Sequence, residues 1–271
     1  MRDWGTDGAG DPARRYRGVS GAVGRLSRRA AGIGAAALAA QYVPSIAVLG
    51  QWSGLRSVGG GICRWRGPKV SQIALTFDDG PSPEATPAVL DRLDELGWPA
   101  TFFCLGSLVE REPDLVAEIL RRGHQVETHG YRHDHHLLRT PRWILRDLRA
   151  ALGVMERCGL RPTLYRPTFG QVTGTTLAAA RLLGLQTVLW SAWGREWTTT
   201  DHRRVAELVG SKLDDGAIVL LHDNDAFGPP GMWRVGLRSL DHIAPEVDRR
   251  GLVPVTMGEL VSGVPSIAAG S

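Results

Sequence analysis

Two neighbouring carboxylates, Asp78 and Asp79, stand between an apolar run, Ile73-Ala74-Leu75-Thr76-Phe77, and a Gly80-Pro81 pair. The run reads as a buried strand and the Gly-Pro pair as a turn. Adjacent carboxylates at a buried strand end repel each other and resist desolvation. They are tolerated there if a cation neutralises one and a basic side chain holds the other. Taken alone, the stretch equally describes a solvated surface turn. If it is buried, it demands metal ligands and an Arg or Lys elsewhere in the chain.

Residues of those types follow in order. His129 and His133 lie four apart in Glu127-Thr128-His129-Gly130-Tyr131-Arg132-His133-Asp134-His135-His136, so on a helical turn their rings share a face. Two imidazoles and one carboxylate form a facial set of N and O donors that suits Zn²⁺ and leaves positions open for water and substrate. A surface cluster is the ordinary reading of such histidines, and it suits His135 and His136. Arg166 follows a short apolar segment and opens the rigid, glycine-ended Arg166-Pro167-Thr168-Phe169-Gly170 loop, which can aim a guanidinium and backbone N–H groups into a site. His222 ends the apolar run Ala217-Ile218-Val219-Leu220-Leu221, where α/β folds place catalytic groups.

The elements that must hold these side chains are legible from residue 72 onward. Apolar runs at 73–77, 100–105, 124–127, 186–190 and 217–221, with a weaker one at 252–255, predict buried parallel strands. Helices are predicted over 86–96, 113–122, 141–157, 174–183, 201–213 and 232–249 from their apolar stripes, Gly stops and Pro starts. Alternating βα units imply a parallel sheet with right-handed crossovers, either open or closed into a barrel.

The chain has 271 residues, 43% hydrophobic and 22% charged, enough for one large α/β domain or two small ones. Its net charge of +4 is unevenly spread. Residues 1–70 hold eleven Arg and Lys against three Asp, whereas the remainder holds 21 basic against 25 acidic residues. The basic part is rich in Gly and Ala without interleaved aromatics, so nucleic-acid binding is not expected. Residues 1–29 are expected to be a disordered basic segment. The uncharged stretch 30–50 admits three readings: a membrane anchor, an export signal of twin-arginine type after Arg28-Arg29, or a helix docked on the domain. A membrane-associated or exported location is preferred to a cytoplasmic one. A linker is expected over 51–71, a catalytic domain over 72–263 and a tail over 264–271. The three cysteines, Cys63, Cys104 and Cys158, form no CxxC pair and no disulfide framework.

Five ordered motifs, TFDDGP, HGYRH, RPTFG, WGREW and LLHD, resemble the polysaccharide deacetylase family, the chitooligosaccharide deacetylase homology domain of carbohydrate esterase family four. The resemblance runs from about residue 72 to 261. It implies a distorted (β/α)7 barrel and a divalent metal, most often zinc, held by Asp79, His129 and His133. It further implies Asp78 as general base, Arg166 holding that carboxylate and His222 as general acid, with an oxyanion held near Thr168 and Phe169. The implied substrate is an N-acetylated amino sugar of a peptidoglycan- or chitin-like polymer, handled by a monomer. Deacylation of another small amide or an O-acetyl ester, or a catalytically impaired carbohydrate-binding relative, are the rival readings.

Three positions depart from the family pattern. Gly130 replaces a Ser or Thr whose hydroxyl would brace the metal-binding loop, and Thr168-Phe169 replace Pro-Tyr. In the fourth motif, Trp193 and Glu196 occupy the two Asp positions, which leaves open which carboxylate supports His222, with Asp223 and Asp225 as further candidates. Trp193 and Trp197 are candidate sugar-stacking residues, in a cluster with Tyr131, Phe169, Trp190 and Trp233; Trp190 reads rather as core.

Overall fold

A computed structural model describes residues 63–68 and 70–262, together with Leu38 and Gln41. Nine parallel strands form one sheet: β1 (Cys63–Arg64), β2 (Gln72–Asp78), β3 (Thr101–Cys104), β4 (Gln125–Thr128), β5 (Leu164–Tyr165), β6 (Gln186–Val188), β7 (Ala192–Trp193), β8 (Ile218–His222) and β9 (Val253–Val255). Their spatial order is β1-β6-β5-β4-β3-β2-β8-β7, with β9 added beside β2. Eight helices accompany them among the described residues: α1 (Ala85–Leu96), α2 (Gly106–Val109), α3 (Pro113–Arg121), α4 (Pro141–Arg157), α5 (Gly174–Leu182), α6 (His202–Gly210), α7 (Met232–Arg249) and α8 (Met257–Ser262).

The sheet is curled into the distorted barrel of the (β/α)7 type, and chain connectivity shows why. Strands β6 and β7 lie six strand positions apart in the hydrogen-bonded order, about 29 Å in a flat sheet. Only Leu189–Ser191 join them, and four Cα steps reach at most about 14 Å. The sheet must therefore bend until its ends approach. This crossing also ends β6 at Val188, two residues short of the predicted strand.

Local chemistry sets the element boundaries. Thr140 caps α4 by accepting from Trp143 N–H, and Pro141 occupies its first turn. Asp201 caps α6 by accepting from the N–H groups of Arg203 and Arg204. Gly97 ends α1 in the left-handed region at φ 65°. Apolar strand residues such as Leu75, Phe77 and Phe102 are fully buried beneath α1 and its neighbours, each contributing about 1.5–3 kcal/mol.

The short elements β1, β5, β7, α2 and α8 have too few residues to show a period. Within the stretch read as a linker, Cys63-Arg64 pair with β6. Most of residues 30–50 lie outside the described residues, but the Gln41 amide donates to Thr175 Oγ1 and accepts from Thr175 N–H, both at 3.0 Å, against the start of α5. The segments 1–29 and 264–271 lie outside the described residues. Among the described residues no helix is long and apolar enough to cross a membrane.

Candidate active site

The functional side chains gather at the carboxyl ends of β2, β4 and β8 and in the loops that follow, where a parallel barrel exposes its working face. Asp78 and His222 are Cα partners across β2 and β8, so they stand side by side at one height. Thr76 and Leu220 are partners two residues earlier, and Trp193 pairs with Leu220 from β7. In-register residues of parallel strands share a face, so Leu220 and Trp193 form the layer beneath the Asp78–His222 pair.

Asp79 is buried and adopts φ 75°, the left-handed region that Asp tolerates better than most residues. That turn separates its carboxylate from its neighbour's. Asp79 Oδ1 lies 3.3 Å from His129 Nε2 and 3.1 Å from His133 Nε2. All three donor atoms fall within 4.8 Å of one another. Zinc donors about 2.1 Å from a common centre are about 3.4 Å apart, so the spacing fits such an ion. Asp79 Oδ1 is moreover a buried oxygen without a hydrogen-bond partner, which a cation would satisfy. Burial opposes ionisation of Asp79, but the two imidazoles and the nearby His222 outweigh it and hold the carboxyl well below the usual range. His129 Nδ1 lies 2.7 Å from the Arg166 carbonyl oxygen. With its proton donated there, Nε2 keeps the lone pair that a metal needs.

The two histidines do not sit on a helical turn as their spacing suggested. His129 follows β4 directly, and Gly130, at φ 94°, sends the chain into a loop that returns His133 to the same point. The His133 ring packs against Phe169 and Phe227, each with centroids 4.3 Å away.

Arg166 is fully buried. Its NH1 donates to Asp78 Oδ1 at 2.6 Å and to Thr76 Oγ1 at 2.7 Å, and its NH2 to the Leu189 carbonyl at 3.1 Å. The guanidinium lies over the Phe103 ring at 4.0 Å. These contacts fix the Asp78 carboxylate in one orientation.

Glu196 answers the question left by the fourth motif. Its buried Oε1 lies 2.8 Å from His222 Nδ1. Burial alone would push the His222 pKa down; Glu196, with Asp79 and Asp78 behind it, outweighs burial and pushes it up to about 9. Asp223 and Asp225 are not its partners. Asp223 accepts from Thr86 Oγ1 at 2.6 Å beneath Gly80, where a Cβ would come within 2.2 Å of its Oδ2. Asp225 accepts from Gly231 N–H at the entrance to α7.

A cavity of about 380 Å³ opens over these groups, lined by Asp78, Asp79, His129, His133 and His222 on the polar side and by Phe169, Trp190, Trp193, Trp197, Leu220, Phe227 and Met232 on the apolar side. Trp190, Trp193 and Trp197 pack in succession, with centroids 5.7 and 5.4 Å apart, and Trp197 meets His222 edge-on at 5.5 Å. Trp190 thus serves core and cavity together. Tyr131 and Trp233 do not line it. Thr168 is buried and turns its hydroxyl to the Asp134 carbonyl at 2.5 Å, tying its loop to the His133 loop. Phe227 and Met232 were missed as cavity residues; Phe227 lies in a loop without periodic signal, and Met232 opens the predicted 232–249 helix, whose stripe does not tell core from cavity.

The polysaccharide deacetylase family description matches residues 66–188. A peptidoglycan-N-acetylglucosamine deacetylase of Bacillus cereus is 34% identical over 205 residues, covering 74% of this chain and 93% of that protein. A chitooligosaccharide deacetylase of a Bradyrhizobium species is 34% identical over 190 residues, 66% of this chain and 85% of its own. The peptidoglycan-N-acetylglucosamine deacetylase PgdA of Listeria monocytogenes is 35% identical over 190 residues, and there the chain spans only 38% of the relative's length. Among solved structures, the Bc1960 peptidoglycan N-acetylglucosamine deacetylase superposes with a TM-score of 0.71 at 27% identity, covering 78% of this chain and 98% of that one. The chain belongs to the polysaccharide deacetylase family, carbohydrate esterase family four, a class of metalloenzymes that hydrolyse N-acetyl amide bonds.

Proposed function

We propose that this protein is a metal-dependent N-deacetylase acting on N-acetylated amino sugars of a polymer such as peptidoglycan or a chitin-like glycan. The observation that carries the reading is the pairing of two polarised groups beside one ligand set. Asp78, aimed by Arg166, and His222, backed by Glu196, flank the same cavity as Asp79, His129 and His133.

Asp79, His129 and His133 would hold the divalent cation, with Zn²⁺ the best match to their donor types. Such a cation, when bound, polarises an amide carbonyl and lowers the pKa of a coordinated water. Asp78 takes a proton from the attacking water as general base. His222, charged at neutral pH, donates the Nε2 proton to the departing amine as general acid. Backbone N–H groups near Thr168 and Phe169 would hold the developing oxyanion. Trp193 and Trp197, with Leu220, offer the apolar surface that the acetyl methyl and a sugar face require. Residues 30–50 would place the enzyme at the membrane or outside it, where a wall polymer is accessible.

The test is acetate release from N-acetylated chito-oligomers and from peptidoglycan, with and without a chelator, beside an O-acetylated glycan. Chelator-sensitive release from the N-acetyl substrates is expected. A fully metal-loaded protein that releases acetate from none of them, or only from the O-acetyl glycan, sinks the reading.

A further inference from the structure

The loop that carries both imidazoles, residues 129–133, belongs to no helix or strand ladder, so its buried backbone groups need partners from elsewhere. They have them. Gly130 N–H donates to Thr128 Oγ1 at 3.2 Å. The carbonyls of Gly130 and Tyr131 accept from the N–H groups of Gly106 and Ser107, at 2.8 and 3.1 Å, in the first turn of α2. Tyr131 N–H donates to Asp147 Oδ2 at 2.9 Å and Arg132 N–H to Asp147 Oδ1 at 3.2 Å. The Arg132 carbonyl accepts from Asp134 N–H at 3.0 Å.

Asp147 is the one side-chain carboxylate in this set. It is buried on the inner face of α4, among Ile144, Leu148 and Ala151. Nothing in the proposed chemistry uses it. Gly130 is its counterpart: a Cβ there would lie 3.0 Å from Asp147 Oδ2, and the φ of 94° disfavours any side chain. The hydroxyl missing after the first His of the motif is thus replaced by a carboxylate seventeen residues on, brought by a helix.

We infer that Asp147 is a positioning residue for the metal centre, holding the 129–133 loop so that both Nε2 atoms face Asp79 Oδ1 before a cation arrives. The inference rests on reading Asp79, His129 and His133 as ligands. Without the carboxylate, two N–H groups lose their acceptor and the loop must be ordered at the expense of metal binding. Asp78 and His222, which meet the substrate, keep their own supports.

The test is Zn²⁺ affinity, measured on the full chain by competition with a chromophoric chelator. Asp147→Ala is expected to weaken binding by about 10–100-fold, the usual effect of losing an outer-shell partner. Asp147→Asn, which keeps one carbonyl acceptor, loses less. Val247→Ala, a buried substitution on α7 remote from the loop, lowers Tm and leaves Zn²⁺ affinity unchanged. At saturating Zn²⁺, Asp147→Ala recovers most of the wild-type kcat with KM unaltered. Equal affinity in wild type and folded Asp147→Ala overturns the positioning role while leaving the ligand reading intact. Absence of Zn²⁺ binding by wild type overturns both. If Asp147→Ala does not fold, wild-type affinity in Asp147→Asn overturns the role instead.

Discussion

Glu196 Oε1, itself buried, sits 2.8 Å from Nδ1 of the partly buried His222. It fixes the imidazole so that Nε2 is the nitrogen left for the cavity. It also shifts the titration upward, so His222 is charged across the neutral range and loses its proton only as pH rises through about 9.

Replacing Glu196 by Gln is expected to remove the main upward influence on His222. The charged form is then lost at lower pH, so the alkaline limb of the kcat/KM–pH profile moves toward neutrality. Activity at pH 7–8 should fall by about 10–100-fold, part of what a general acid supplies. A pH profile of the two proteins checks this; an unmoved alkaline limb refutes it.

The Asp78–Arg166 pair is buried on both sides. Arg166→Met leaves Asp78 without its cationic partner and is expected to cost about 3–5 kcal/mol of stability, the usual result of breaking a buried pair. Arg166→Lys should not rescue it, because one ammonium cannot reach Asp78, Thr76 and the Leu189 carbonyl in the same geometry. Urea unfolding measures both.

Asp78→Asn separates stability from chemistry. It keeps the shape of the side chain but removes the base, and acetate release is expected to drop by about 10²–10⁴-fold while Zn²⁺ still binds. Loss of Zn²⁺ binding together with activity would place Asp78 among the ligands instead.

Zinc is expected to stabilise the fold because the donors converge only in the folded state. At a free concentration of 100 Kd the gain is about 2.7 kcal/mol, readable as a rise in Tm that chelator reverses. Asp79→Ala should abolish this rise. A Tm indifferent to Zn²⁺ in wild type would contradict the site.

Trp193 lies in register with Leu220, one layer beneath His222. Trp193→Ala is expected to empty part of the cavity floor and raise KM for N-acetyl substrates by about 5–30-fold, the equivalent of about 1–2 kcal/mol of lost apolar contact. Steady-state kinetics on chito-oligomers would show it; a change in kcat alone would assign the ring a different role.

Much of this protein was legible in its residue order. The apolar runs that became β2, β3, β4, β8 and β9 and the six stripes that became α1 and α3–α7 announce themselves because burial imposes a period on any element long enough to repeat it. The Asp78-Asp79 pair likewise poses an electrostatic demand, to which the fold brings Arg166 at Asp78 and two imidazoles at Asp79. The short elements β5, β7, α2 and α8, which no apolar run or stripe marks out, emerged only from their hydrogen bonds.

What the tertiary structure decided is which groups touch. Glu196 and His222 are 26 residues apart, Asp147 and Tyr131 sixteen, and Thr86 and Asp223 137. No local rule selects Glu196 over Asp223 as the partner of His222. The choice follows from the pairing of β7 with β8, which brings the segment after β7 against the end of β8 while Asp223 turns beneath Gly80. Residue types determine which chemistry is available; hydrogen bonds and ion pairs, effective only over a few ångströms, wait for the closed fold to determine which pairs perform it.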